Sequence, residues 1–130
     1  MSSRPFLKPF AVVTNGDMSG SITSAVTIVQ QLSMISYGYS WSGTSPVGTI
    51  SIQASNDYSV DAGGTVKNAG TWNTLTVESG GSAVSSVALT GNTGNGLIDV
   101  VQTAGYALRT VYTRTSGTGT LQVIVNAKVA

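Results

Sequence analysis

The ionisable side chains of this chain are few: Asp17, Asp57, Asp61, Glu78 and Asp99 on one side, Arg4, Lys8, Lys67, Arg109, Arg114 and Lys128 on the other, with no histidine and no cysteine. Without imidazole or thiolate there is no Ser-His-Asp or Cys-His nucleophile and none of the usual zinc ligand sets. A glycosidase runs on two carboxylates alone, but it needs them at fixed separation on a rigid frame. Asp57 and Asp61 instead share one glycine-rich loop, where acids ordinarily cap turns. The expectation is a protein that is not an enzyme and carries no cofactor. Asn56, Asp57 and Asp61 are also hard oxygen donors of the kind calcium takes, although their spacing is not that of an EF-hand. Whether the 56–69 loop holds an ion or a glycan is left open. The run Gly91-Asn92-Thr93-Gly94-Asn95-Gly96 is not followed by Lys-Ser/Thr opening a helix, so it reads as a turn and not as a phosphate cradle.

Binding chemistry is better represented. Tyr37, Tyr39 and Trp41 alternate with Ser36, Gly38 and Ser40, which puts three rings on one strand face and predicts that they are core. Tyr58 and Trp72 flank the long loop and are the candidates for stacking on a sugar ring. Arg109 and Arg114 bracket one apolar segment; each is read either as a clamp on a partner's carboxylate or carbonyls, or as a charge that keeps a strand edge from pairing further. Near the N-terminus Arg4, Phe6, Leu7, Lys8 and Phe10 mix cations with large apolar groups.

The elements that would carry these residues are strands. Ile50, Ile52 and Ala54 alternate with Ser51, Gln53 and Ser55, and Leu121, Val123, Val125 and Ala127 with mostly polar neighbours, at the period of a half-buried strand. Residues 21–30, 71–77, 83–89 and 97–101 read as further strands. Thr44-Ser45-Pro46 reads as a loop, and residues 106–129 read as a terminal β-hairpin turning at Thr115-Ser116-Gly117-Thr118-Gly119. About eight short strands and no amphipathic helix predict an all-β, antiparallel β-sandwich, jelly-roll-like, over residues 20–130. Residues 1–19 contain Pro5 and Pro9 and are expected to be extended, as an N-terminal arm on a neighbouring subunit or as the first strand. If they form an arm, removing residues 1–13 leaves a folded domain.

At 130 residues the chain makes one domain, and only 8% of it is charged, for a net charge of +1. Ordinary domains carry about a quarter charged residues. A weakly self-repelling surface tolerates close packing against copies of itself. The scattered cations exclude the basic stripe that nucleic acid requires. No signal-peptide or membrane-spanning run is present, so synthesis in a cytoplasm without membrane association is expected.

Residues 47–57, residues 70–75 and residues 106–121, above all Tyr112-Thr113-Arg114-Thr115-Ser116-Gly117-Thr118-Gly119-Thr120-Leu121, resemble a small β-sandwich module that recurs in bacteriophage virion structural proteins. The likeness runs from about Ser33 to Lys128. It implies a virion role: a capsid decoration or cement protein, made in the host bacterial cytoplasm, that binds major capsid protein and copies of itself as a homo-oligomer, trimer or dimer. On that reading Arg4, Phe6, Leu7, Lys8, Phe10, Arg109 and Arg114 are the partner contacts. The alternative it leaves is a host-surface carbohydrate-binding module of a tail, fibre or vertex protein, acting through Tyr58 and Trp72.

Overall fold

Period-two alternation governs the long elements, and the computed structural model, which describes residues 6–29, 34–100 and 106–128, is built on them. Its strands are β1 (Phe6–Asp17), β2 (Ile22–Thr23), β3 (Thr27–Ile28), β4 (Met34–Ser55), β5 (Ser59–Val60), β6 (Val66–Asn68), β7 (Asn73–Thr74), β8 (Val77–Ser79), β9 (Ser82–Val84), β10 (Val87–Leu89), β11 (Thr93–Val100) and β12 (Ala107–Lys128). All pairings among them are antiparallel. Ten of the strands join one hydrogen-bonded sheet, with β5 and β6 as a separate ribbon. The antiparallel all-β sandwich expected from the sequence is the architecture found.

Its spine is the ribbon of β4 and β12, each 22 residues long, paired from Ala107 opposite Ser55 to Lys128 opposite Met34. A straight strand of that length would reach roughly 70 Å, several times the radius of gyration of about 14 Å expected for a domain this size. The ribbon therefore bends at its middle. There Ser45 has φ 47° and Gly117 φ 80°, and the register slips on both sides of Ser116. A Cβ on Gly117 would sit on the Ser45 carbonyl and 2.6 Å from the Pro46 Cα, so only glycine lets the two backbones cross here. Pro46, which has no N–H to donate, is buried at this interruption of the ladder.

The corner also changes the phase of burial. In β4 the inward residues are Ile35, Tyr37 and Tyr39 before it and Ile50 and Ile52 after it; in β12 they are Leu108 and Tyr112 before and Leu121, Val123 and Val125 after. Odd and even positions exchange in both strands because the bulged residues at the corner are unpaired. Each half then builds one layer. The first adds β1 beside β12 and β11, β8 and β9 beyond β4; the second adds β2 and β3 beside β12 and β7 and β10 beside β4. Inward side chains of both layers belong to a single core cluster, as a sandwich requires.

The terminal hairpin expected from the sequence is not present. Residues 115–119 do not reverse the chain: β12 continues through them, and they lie against residues 43–47, the segment read as a loop. Two turn-like stretches are thus each other's partner at the corner. Of the alternatives for the N-terminus, the structure has a strand: β1 pairs with β12 from Phe6 opposite Lys128 to Asp17 opposite Thr120, and Val12 and Val13 are buried in the core. As an edge strand it carries Pro9 and three register irregularities, features that hinder further strand addition. Next to the corner in the first layer, Trp41 and Tyr39 lie opposite Gly94 and Gly96, where an added Cβ would strike their rings. The two rings stack on each other at 6.0 Å and 13°, and the Trp41 Nε1–H donates to the Gly91 carbonyl at 3.1 Å. These rings are packing, as the alternation predicts.

Candidate functional site

On the outer face of the second layer, β12 places Arg109 directly opposite Gln53 of β4, and β7 places Thr74 on the other side of Gln53. Arg109 Nε donates to Gln53 Oε1 at 2.8 Å. Its guanidinium lies 4.3 Å from the centroid of the Trp72 ring, within cation–π range. Tyr58 meets the same indole at 5.8 Å and 55°, and Trp72 Nε1–H donates to the Ala69 carbonyl at 2.8 Å. Partial burial lowers the Arg109 pKa from its ordinary value, which still leaves a guanidinium cationic.

The loop that carries these aromatics is tied down by its acids. Asp57 Oδ1 accepts from the Thr71 N–H at 2.6 Å and the Ser55 hydroxyl at 2.8 Å, and Oδ2 accepts from the Thr71 hydroxyl at 2.9 Å. Those bonds, the Thr71 amide first, hold the Asp57 carboxyl below the usual aspartate range. Asp61 Oδ1 accepts from the N–H groups of Gly63 and Thr65, both at 2.9 Å. Of the carboxylates that the sequence offers as a catalytic or calcium pair, Asp57 therefore ties the two ends of the loop together and Asp61 closes a turn within it. Among the described residues no three acids, histidines or cysteines come together to hold a metal. Beside the aromatics lies a shallow depression of about 460 Å³ lined by Ala54, Ser55, Asn56, Asp57, Thr71 and Asn73. A ring platform next to hydroxyl, amide and carboxylate acceptors has the chemistry to seat a polyhydroxylated ring.

The remaining predicted contacts are not brought together with this site. Arg4 lies outside the described residues, while Phe6, Leu7 and Lys8 belong to β1. Phe10, also on β1, is 39% exposed. Arg114 is exposed at the corner, where its Nε donates to the Gly117 carbonyl at 2.9 Å. Five residues apart on an alternating strand, Arg109 and Arg114 project to opposite faces and cannot act as one clamp. Arg109 is moreover engaged by Gln53 and Trp72.

Sequence reasoning missed a second surface. On the outer face of the first layer Leu97 of β11, Gly38 of β4 and Ile124 of β12 lie in one row across the strands, with Leu97 64% and Ile124 47% exposed. A depression of about 690 Å³ lies along this row, bordered further by Ser79, Gly80, Asn95 and Gln122. The signal was present: Leu97 and Ile124 are apolar at the outward phase of their strands, between Asn95 and Asp99 and between Gln122 and Asn126. Among the described residues no helix is long and apolar enough to cross a membrane.

Comparison with protein-family models finds no match, and comparison with curated proteins finds none. Among solved structures, the SPBc2 prophage-derived protein YomS is similar in fold, with a TM-score of 0.58 over 97% of this chain and 96% of that one, at 14% identity. The likeness spans both layers of the sandwich.

Proposed function

We propose that this chain is a bacteriophage virion structural protein, a capsid decoration or cement subunit that reinforces the head by bridging major capsid subunits. The observation that carries the reading is the end-to-end likeness of fold to a prophage-derived protein, in which neither chain has a substantial region the other lacks. Its surface chemistry supports it. The carboxylates of the long loop are engaged in holding it, the depressions are shallow, and the charge-poor outer faces suit a subunit that must add many times to a lattice. The proposed shell contacts are Phe10 on the edge strand and Arg114 at the corner, with Arg4, Phe6, Leu7 and Lys8 extending the same N-terminal segment; Arg109 is withdrawn from this set because its guanidinium is already engaged. The test is copy number in purified particles. Hundreds of copies per particle, and loss of binding by a folded Phe10→Glu/Arg114→Glu variant added to particles lacking the protein, are the expected results; absence from particles overturns the reading.

The contact between Tyr58 and Trp72 favours a second function, recognition of a host-surface carbohydrate from a tail, fibre or vertex. Trp72→Ala in an adsorption assay separates the two: lost adsorption with normal particle stability points to the carbohydrate.

A further inference from the structure

The outer face of the first layer carries a charge pattern that matches its own image. Glu78 of β8 and Asp99 of β11 are register partners, and both lie at the outward phase, since Val77, Ile98 and Val100 are buried. Two like charges directly opposite across a strand pair destabilise it unless a cation answers them. Two strands from Asp99 the same face has Asn126 in its row on β12 and, one outward position further along, Lys128, exposed beside Met34, which is 48% exposed. Asp99, Lys128, Met34 and Asn126 border a common depression of about 410 Å³. Acids therefore mark one side of the face and a cation the other, with Leu97, Gly38 and Ile124 between.

We infer that this face binds a second copy of the chain, as an isologous dimer whose two-fold axis runs along β4. Rotation about that axis lays the β11 side of one copy over the β12 side of the other. Leu97 then meets the second copy's Ile124 and Asn95 its Gln122, while Asp99 falls over its Asn126, one outward position along β12 from Lys128 and within reach of that long side chain; each contact occurs twice. An added Cβ on Gly38 would meet the Leu97 Cδ2 at 3.4 Å, so the Leu97 side chain leans over the glycine and makes the apolar row continuous across β4. Five strands at about 4.8 Å spacing and eight residues at about 3.3 Å rise give roughly 600 Å² per copy, close to the lower end of specific interfaces at about 1,200 Å² in total. The association is accordingly reversible and weakened by salt.

The dimer does not rest on the shell reading, because it is tested on purified full-length protein in solution. Sedimentation velocity at low salt should show dimer at about 100 µM, with dissociation at high salt. Leu97→Asp should be monomeric and folded by circular dichroism. Asp99→Lys and Lys128→Glu should each weaken association at least ~10-fold, and mixing the two variants should restore a dimer, since each heterodimeric contact again joins opposite charges. A monomeric wild type, single variants that dimerise normally, or a mixture that stays monomeric would each overturn the inference. Failure of particle binding by an intact dimer would count against the shell reading alone.

Discussion

The indole of Trp72 is held by the Arg109 guanidinium across its face, by the tilted Tyr58 ring and by the Ala69 carbonyl at its nitrogen. Tyr58 and Ala69 belong to the loop leading to Trp72, but Arg109 comes from β12, so the platform is completed by the fold. A double-mutant cycle on Arg109→Ala and Trp72→Ala, read from urea midpoints, should give a coupling of about 0.5–1 kcal/mol. Arg109→Lys should recover little of it, because an ammonium neither stacks flat nor keeps the Nε–H that meets Gln53. Tyr58 and Trp72 were readable as loop-flanking aromatics. That Arg109 belongs with them was not, since register between β12, β4 and β7 decides it.

Strand β1 makes the clearest difference at the level of elements. Phe6–Asp17 is joined to β12, and Val12 and Val13 reach the core with 7% exposure each. Burial of two valines contributes roughly 3 kcal/mol or more, a large share of a small domain's stability of about 5–15 kcal/mol. Removal of residues 1–13 should therefore abolish or greatly lower the cooperative urea transition followed by circular dichroism; a truncated chain that unfolds like the full one would show that β1 is dispensable. The alternations at residues 35–41, 50–54 and 121–127 predicted strands correctly. The corner was misread because Ser, Thr and Gly at residues 115–119 are turn residues locally, and only their pairing with residues 43–47 keeps the strand running.

At the scale of the whole molecule, the core contains phenols. Burial raises the pKa of Tyr37, and also of Tyr39 and Tyr112, above the ordinary tyrosine value; Thr27 opposes the shift at Tyr37, although the two hydroxyls do not reach hydrogen-bonding geometry. A folded-state pKa raised above the unfolded value contributes stability that is complete below about pH 10 and is lost as pH rises toward the folded value. Urea midpoints should thus be flat from about pH 7 to 9 and fall above about pH 10. Tyr37→Phe should flatten that alkaline fall, and at neutral pH it should change stability by less than about 1 kcal/mol, since its buried hydroxyl has no protein partner among the described residues. An alkaline limb unchanged in the variant would assign the fall to other groups.

Composition and alternation alone determined that this chain is an antiparallel β domain without imidazole or thiol chemistry, because those properties follow from residue type and a period of two. Tertiary structure decided what happens where the period breaks. It joined two turn-like stretches into one corner, drew β1 into the core, set Arg109 over Trp72, and lined up Leu97, Gly38 and Ile124 into a surface. Each of these depends on which distant strand lies alongside, and cross-strand register is set by the packing of all the layers together.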